Sequence, residues 1–354
     1  MPKRADHFKI NCSAFLDASG NPIGELPEFA NSRETLTELY SAMVRTRTFD
    51  AKAIALQRTG RLGTYASSLG QEAIAIGVAS AMTDNDVFLP SFREHGAQLW
   101  RGVSLEELFL FWGGDERGND FAQARQDFPV CIPVASQFPH AAGVALAIVQ
   151  KGEPGVAVAI AGDGATSKGD FYEAMNVVGA WKLPAVFVIN NNQWAISVPR
   201  EEQTAATTLA QKAFAAGIPG EQVDGNDVIA VRDTVVRALT CAREGKGGTL
   251  IECLSYRLSD HTTADDASRY REDEVVSAHW KAEPLVRLRA FLIAEHGWSK
   301  SEEENLIHAC GKEVEAAAEN YLATPPEPAR AMFENLFAEI TTDISALARE
   351  LNNG

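Results

Sequence analysis

The run Val156-Ala157-Val158-Ala159-Ile160-Ala161, closed by Gly162, has no polar side to turn towards water. An apolar run of that length without alternation fits a parallel strand buried on both faces. After it, Asp170 with Glu173 has the form of a helix-starting capping box, and Phe171, Ala174, Met175, Val178 and Trp181 recur along one helix face. Leu183-Pro184 ends that segment, and Ala185-Val186-Phe187-Val188-Ile189 is a second apolar run. Residues 156 to 189 therefore predict a βαβ unit whose two parallel strands end at the same edge. This makes the chain an α/β protein with a central, mostly parallel sheet and helices on both faces.

The rest of the chain arranges itself around that unit. Residues 1 to 32 read as an extended N-terminal arm, with turn residues at Ser19-Gly20-Asn21-Pro22 and no sustained apolar period. From Thr35 to Arg58, Leu36, Leu39, Met43, Val44, Phe49, Ile54 and Leu56 keep helical spacing. A helical segment from Gln71 to Met82 precedes a short buried strand, Val87-Phe88-Leu89-Pro90, and then the loop Ser91-Phe92-Arg93-Glu94-His95-Gly96. Leu250 to Leu254 reads as another strand. A capping box at Ser301 and Glu304 starts a helix lined by Leu306, Ile307, Cys310 and Val314. Pro325, Pro326 and Pro328 then cut the chain, so the expected division is an arm (1–32), one large domain (33–324) and a C-terminal helical tail (325–354).

Composition narrows the function. A formal charge of -16 opposes non-specific binding to nucleic acid or to an anionic membrane, and any phosphate site must be local. The five cysteines form no C-x-x-C pair, which suggests neither a disulfide framework nor a zinc site and fits a reducing, cytoplasmic setting. The start, Met1 to His7, lacks the apolar stretch of a secretory signal, and no run approaches the roughly 20 apolar residues that span a bilayer.

Asp163 and Asn192 each follow a predicted strand, where ligands of open α/β sheets sit. Magnesium takes hard oxygen ligands such as carboxylates, amide or backbone carbonyls and phosphate oxygens. Gly162 and Gly164 admit a close backbone approach to phosphate, with a helix N-terminus behind. Alone, Gly-Asp-Gly is a tight turn. Here Gly162-Asp163-Gly164 is separated from Asn191-Asn192 by 26 residues (165 to 190), across the whole βαβ unit.

That spacing resembles the signature of thiamine diphosphate enzymes. The stretches Gly162 to Glu173 and Asn191-Asn192-Gln193-Trp194-Ala195-Ile196-Ser197 look like the alpha subunit of the decarboxylating component of 2-oxo acid dehydrogenase complexes, a likeness running from about Leu36 to Arg289. The resemblance implies the thiamine diphosphate-binding fold. It implies magnesium (Mg2+) bound by Asp163, the Asn192 side chain and the Trp194 carbonyl, with Gly164 and Ala165 at the diphosphate. Phe92-Arg93 matches the family's Tyr-Arg pair, so Arg93 would clamp the diphosphate, while Phe92 keeps the ring and loses the hydroxyl. Ile132 to Gln137 resembles the segment meeting the aminopyrimidine, with Val134 supporting the bent cofactor and Ser136-Gln137 keeping part of a structural potassium (K+) pattern. Without the family it reads as a buried turn.

His261 stands among Asp260, Asp265 and Asp266, and a histidine there can move protons near neutrality. By resemblance it lies at the channel mouth and assists acyl transfer to a lipoyl group, while Thr262 takes the place of a serine phosphorylated in mitochondrial relatives. Arg257, Arg269 and Arg271 read as loop-ordering or lipoyl-contact residues, with surface ion pairs the blander expectation. His95 divides between a reaction-centre and a structural role.

Thiamine chemistry also needs a carboxylate beside the aminopyrimidine, and the chain offers no convincing candidate, nor enough length for a second domain to bring one. The expected partners are a beta subunit, in an α2β2 heterotetramer, the lipoyl domain of an acyltransferase core and a small 2-oxo acid. Arg61 to Ala66 with Gly70 to Ala73 leans towards pyruvate enzymes, whereas Val130 to Gln137 and Asn191 to Ser197 also resemble 2-oxoisovalerate enzymes; acetoin dehydrogenase is a more distant relative, and a non-catalytic scaffold stays open. A Rossmann dehydrogenase is disfavoured, since Gly162-Asp163-Gly164 runs on to Lys168 without the third glycine that G-x-G-x-x-G needs.

Overall fold

A computed structural model describes residues 9–334 and 336–352; Met1 to His7, whose lack of an apolar stretch was noted above, lie outside them. The strands are β1 (Cys12–Ser13), β2 (Val87–Leu89), β3 (Ala157–Gly162), β4 (Ala185–Asn191), β5 (Trp194–Ala195), β6 (Val198–Pro199), β7 (Gly220–Asp224) and β8 (Thr249–Leu254). β5 and β6 form a small antiparallel hairpin. The other six form one sheet in the order β1-β7-β8-β4-β3-β2, every pair parallel.

The two apolar runs lie as their composition requires. Ala157, Ala159 and Ala161 with Ala185, Phe187 and Ile189 face the helices Gln137–Lys151 and Gly169–Trp181. Their alternates, Val156, Val158, Ile160, Val186 and Val188, face the helices Glu72–Ala81 and Val228–Arg243. Alanine along one side of β3 leaves room for large rings, and Phe138 packs edge-on against Phe171 and Phe187, with centroids 5.1 and 5.4 Å apart. The crossovers β2 to β3 and β3 to β4 step one way across the sheet, and β7 to β8 steps the other. The direction reverses between β4 and β8, and in such sheets the crevice at the reversal is where a ligand fits.

Several local expectations are corrected. The helix Gly169–Trp181 starts after Lys168 with no side-chain cap, so Asp170 and Glu173 form no capping box; a 3-10 turn, Asp163–Ser167, takes up the chain first. Trp181, expected on the apolar face, is 61% exposed. The later capping box is Ser299 with Glu302, two residues ahead of the expected pair, and Ile307 is exposed while Cys310 and Val314 are buried. The segment 132–137 is no buried turn, since Ile132 and Val134 are half exposed. All five cysteines are free, and no described helix is long and apolar enough to cross a membrane.

The arm is tied to the domain rather than loose. β1 pairs with β7 at the sheet edge, and Leu16 is buried. The Asp227 carboxylate accepts hydrogen bonds from the backbone N–H groups of Phe15 and Leu16 at 2.7 and 2.8 Å and, as helix N-cap, from Ile229 and Ala230 at 3.0 and 3.1 Å. One buried side chain thus pairs donors from both ends of the chain's first 230 residues. Asp227→Ala strands these four donors, and at about 1 kcal/mol for each net bond the expected loss is about 4 kcal/mol in denaturant unfolding. Limited proteolysis should then cut between residues 17 and 26; a loss under about 1 kcal/mol with no new cleavage would contradict the tie.

Candidate active site

A cavity of about 530 Å³ opens at the carboxyl ends of β3 and β4. Its walls include Phe92, Arg93, Ile132, Val134, Gly162, Asp163, Gly164, Ala165, Asn192, Trp194 and His261, all of them expected site residues. These residues come from five separated stretches of chain, and the sheet brings the ends of β3, β4 and β8 together while residues 91–94 follow β2.

Both glycines of Gly162-Asp163-Gly164 have a spatial reason. A Cβ on Gly164 would stand 2.8 Å from the Ala195 Cβ, so the β5–β6 hairpin closes on this turn only over glycine. A Cβ on Gly162, which lines the cavity, would meet no protein atom within 4 Å. Behind the turn, buried Lys212 donates to the Thr166 carbonyl and hydroxyl at 2.9 and 3.0 Å, and the Thr166 hydroxyl donates to the Asp163 carbonyl at 2.9 Å.

Asp163 is 1% exposed, and burial pushes its pKa up. Its Oδ2 accepts from Gln203 Nε2 at 2.7 Å, and among the described residues no side-chain cation forms an ion pair with it. A buried carboxylate without a counter-ion is costly unless a cation completes it. The neighbouring donor set is oxygen-rich. Asn192 turns its Nδ2 to Gln71 Oε1 at 2.9 Å, leaving Oδ1, which accepts the Trp194 N–H at 3.2 Å. Carboxylate, amide oxygen and the Trp194 carbonyl suit magnesium, and among the described residues no cluster of three His, Cys, Asp or Glu side chains offers a softer or more acidic site.

The hairpin that carries Trp194 is strained and braced. Gln193 and Ile196 adopt positive φ of 71° and 58°, unfavourable for a β-branched residue. Arg257, wholly buried, donates to the carbonyls of Trp194 and Ile196 at 3.4 and 2.8 Å and to the Tyr270 hydroxyl at 2.8 Å. The expectation of surface ion pairs is therefore wrong for Arg257, and Arg271 donates to the Arg257 and Ser259 carbonyls instead of to acids; only Arg269 makes an exposed pair, with Asp266.

Arg93 is buried, and desolvation followed by the nearby charge of Arg257 lowers its pKa to about 10. It donates to the Ser67 carbonyl at 2.6 Å, and through Nη2 to the His261 carbonyl at 2.6 Å and His261 Nδ1 at 2.9 Å. A guanidinium is only a donor, so Nδ1 must accept and the ring proton sits on Nε2. Burial, then Arg93 and Arg257, push the His261 pKa down to about 4, which keeps the ring neutral. Phe92 stands edge-on to the His261 ring at 6.1 Å, with the Arg93 guanidinium 5.2 Å from its own ring. Arg93 has five N–H groups and these bonds use three, so two remain for an anion.

Other wall residues were not anticipated. Gln71 and Glu94 line the cavity, and burial pushes the Glu94 carboxyl up to about 7, with the Arg93 backbone N–H donating to it at 3.1 Å. No spacing rule marks Gln71 or Glu94, because each acquires its position only by folding. His95 does not reach the cavity. It stacks on Tyr65 at 5.3 Å and bonds the Ala66 carbonyl, which makes it structural. In the segment near Val134, the Ser136 hydroxyl donates to the Pro133 carbonyl at 2.6 Å, and Gln137 Nε2 donates to the Cys131 carbonyl while its Oε1 is buried without a partner.

Residues 40–329 match the family model of the dehydrogenase E1 component. The chain is 40% identical to the pyruvate dehydrogenase E1 component subunit alpha of Staphylococcus aureus (strain Mu50) over 340 residues, covering 95% of this chain and 91% of that one. It is 38% identical, over the same shares, to the protein of that name from Staphylococcus epidermidis. Sheet, cavity and sequence kinship agree: the chain belongs to the dehydrogenase E1 component family, as an alpha subunit of the 2-oxo acid dehydrogenase type.

Proposed function

We propose that this alpha subunit binds thiamine diphosphate with magnesium and, with a beta subunit in an α2β2 heterotetramer, catalyses oxidative decarboxylation of pyruvate with acyl transfer to lipoyl-lysine of an acyltransferase core. The observation that carries the reading is Asp163, a buried carboxylate without a counter-ion among the described residues, standing beside the Asn192 amide and two glycines in a largely apolar cavity. Asp163, the Asn192 Oδ1 and the Trp194 carbonyl would hold the metal, and the backbone from Gly162 to Ala165 would meet the diphosphate, with the free N–H groups of Arg93 beside it. Ile132 and Val134 would pack against the aminopyrimidine. When bound, thiamine diphosphate supplies the electron sink that a 2-oxo acid needs to lose CO2.

His261 acts in this reading as the catalytic residue. Neutral, with Nδ1 held by Arg93, it presents Nε2–H as a donor to a substrate oxygen without placing a second cation beside Arg93. Glu94, although in the wall, takes its hydrogen bond from the Arg93 backbone on the clamp loop, so the carboxylate that activates the aminopyrimidine is assigned to the beta subunit. The unpartnered Gln137 Oε1 is the one acceptor here that supports a structural potassium ion. Pyruvate is preferred because both relatives compared above are named for it; 2-oxoisovalerate is the alternative.

Three outcomes follow from these assignments. Asp163→Ala should weaken magnesium-dependent thiamine diphosphate binding by more than ~100-fold in calorimetry on the alpha–beta assembly, beyond the 10–100-fold of an outer-shell change, and unchanged affinity would sink the site. That assembly should decarboxylate pyruvate with a higher kcat/KM than 2-oxoisovalerate and the alpha chain alone should turn over neither; an assembly inert to both would refute the activity. Since the folded pKa of His261 lies below that of the unfolded chain, it contributes stability above pH 6.5 that is lost as pH falls towards 4. Carbon-13 labelled histidine should therefore titrate near pH 4 at His261 in cofactor-free protein, identified by its loss in His261→Gln; a midpoint above 6 contradicts the neutral-ring mechanism.

A further inference from the structure

An asparagine amide presents its oxygen and its NH2 as nearly equal shapes, so a metal-facing asparagine needs something else to set which end points at the ion. With the wrong end inward, an N–H dipole would oppose the cation. At Asn192 the deciding contact is Nδ2 to Gln71 Oε1, at 2.9 Å. Gln71 has the same ambiguity, and it is removed by a second donor: Asn190 Nδ2 bonds the same Oε1 at 3.0 Å. Asn190 is oriented in turn by the Ser255 hydroxyl, which donates to its Oδ1 at 2.9 Å. All three amides are nearly fully buried, where a mismatched pair costs more than in water.

Having both asparagines on Oε1 turns the other end of Gln71 away from them. Its Nε2 is buried and has no hydrogen-bond partner, and Gln71 belongs to the cavity wall. An orphaned buried amide donor is costly, and an acceptor on a bound anion removes that cost.

We infer that Gln71 is a positioning residue with two separable tasks: its Oε1 holds the Asn192 amide with oxygen towards the metal, and its Nε2 donates to an acceptor of the bound cofactor. The inference rests on the magnesium and thiamine diphosphate reading of Asp163 and Asn192. Ser255, Asn190 and Gln71 come from three separated parts of the chain, so the orientation is transmitted from the end of β8 across β4 to the start of the helix Glu72–Ala81.

Two substitutions separate the tasks. Gln71→Met removes both polar atoms at similar length, whereas Gln71→Glu keeps an acceptor for the two asparagine donors and replaces the cavity-facing donor by an oxygen. In the alpha–beta assembly, tryptophan fluorescence titrations would give the magnesium requirement at fixed thiamine diphosphate and the thiamine diphosphate affinity at saturating magnesium. Gln71→Met should raise the magnesium requirement by about 10–100-fold and also weaken the cofactor. Gln71→Glu should keep the magnesium requirement within about threefold of wild type and lose at least about tenfold in cofactor affinity, the size of one hydrogen bond to a charged group. Both should unfold near the wild-type temperature without cofactor, a check on folding. A magnesium requirement unchanged in Gln71→Met, or raised equally in both, would overturn the orienting task; full cofactor affinity in Gln71→Glu would overturn the donor task. Asp163→Ala, titrated alongside, separates the two levels: if it too binds normally the site reading fails, and if it alone fails to bind, only the role of Gln71 does.

Discussion

Two strands that are apolar on both sides, β3 and β4, must be covered on both faces, and the position of everything else follows from that demand. Covering one face takes helices from crossovers that step one way across the sheet; covering the other takes a crossover stepping back. The reversal opens a crevice at the carboxyl ends, between β4 and β8. Asp163, Asn192 and His261 meet there because each lies just past a strand of that group, although nearly a hundred residues separate the first from the last.

The crevice then sets an electrostatic problem. The chain carries a formal charge of -16, yet Arg93 in the cavity wall and Arg257 behind it, both buried deeply enough to lower their pKa, stand near the Asp163 carboxylate without pairing with it. The net acidity therefore says little about the site. Arg257 spends its donors on the strained hairpin and Arg93 on the His261 loop, so the two cations act as braces for the walls. Their field also accounts for a neutral His261: two fixed positive charges and burial act in the same direction on its ring.

Legibility in the sequence followed how local each signal was. The helix Arg33–Arg58, the strands β2, β3, β4 and β8, and the residues at the ends of β3 and β4 could be read, because apolar periodicity and glycine placement are carried by neighbouring residues. β7 and β1 escaped notice. Gly220 to Asp224 alternates weakly, and a two-residue edge strand has no pattern at all; β7 exists because β8 offers an open edge to pair with, and β1 because β7 then offers one in turn. Asp170 and Glu173 suggested a cap that the 3-10 turn at Asp163 displaced, and Trp181 satisfied helical spacing yet fell outside the covered arc. Arg257 looked like a surface cation because nothing in its neighbours announces that Trp194 and Ile196 will point their carbonyls at it. Gln71 and Glu94 were missed for the same reason, since a buried amide or acid gains its role from partners more than a hundred residues away, or from the burial itself.

The walls of the cavity also bear on the proposed need for a second chain. Ile132, Val134, Ile196 and Val198 are exposed apolar side chains, three of them on the cavity wall and the fourth in the adjoining hairpin. Leaving them in water forgoes burial of about 25 cal/mol per Å², and the hairpin bearing two of them is held in a strained conformation. A surface maintained at that cost is explained if another chain covers it. The beta subunit of the proposed assembly fits, since covering this rim would exclude water from the site and bring a carboxylate to the side of the cavity where Ile132 and Val134 stand. The apolar rim and the missing acid are then one requirement: the partner that buries the first is placed to supply the second.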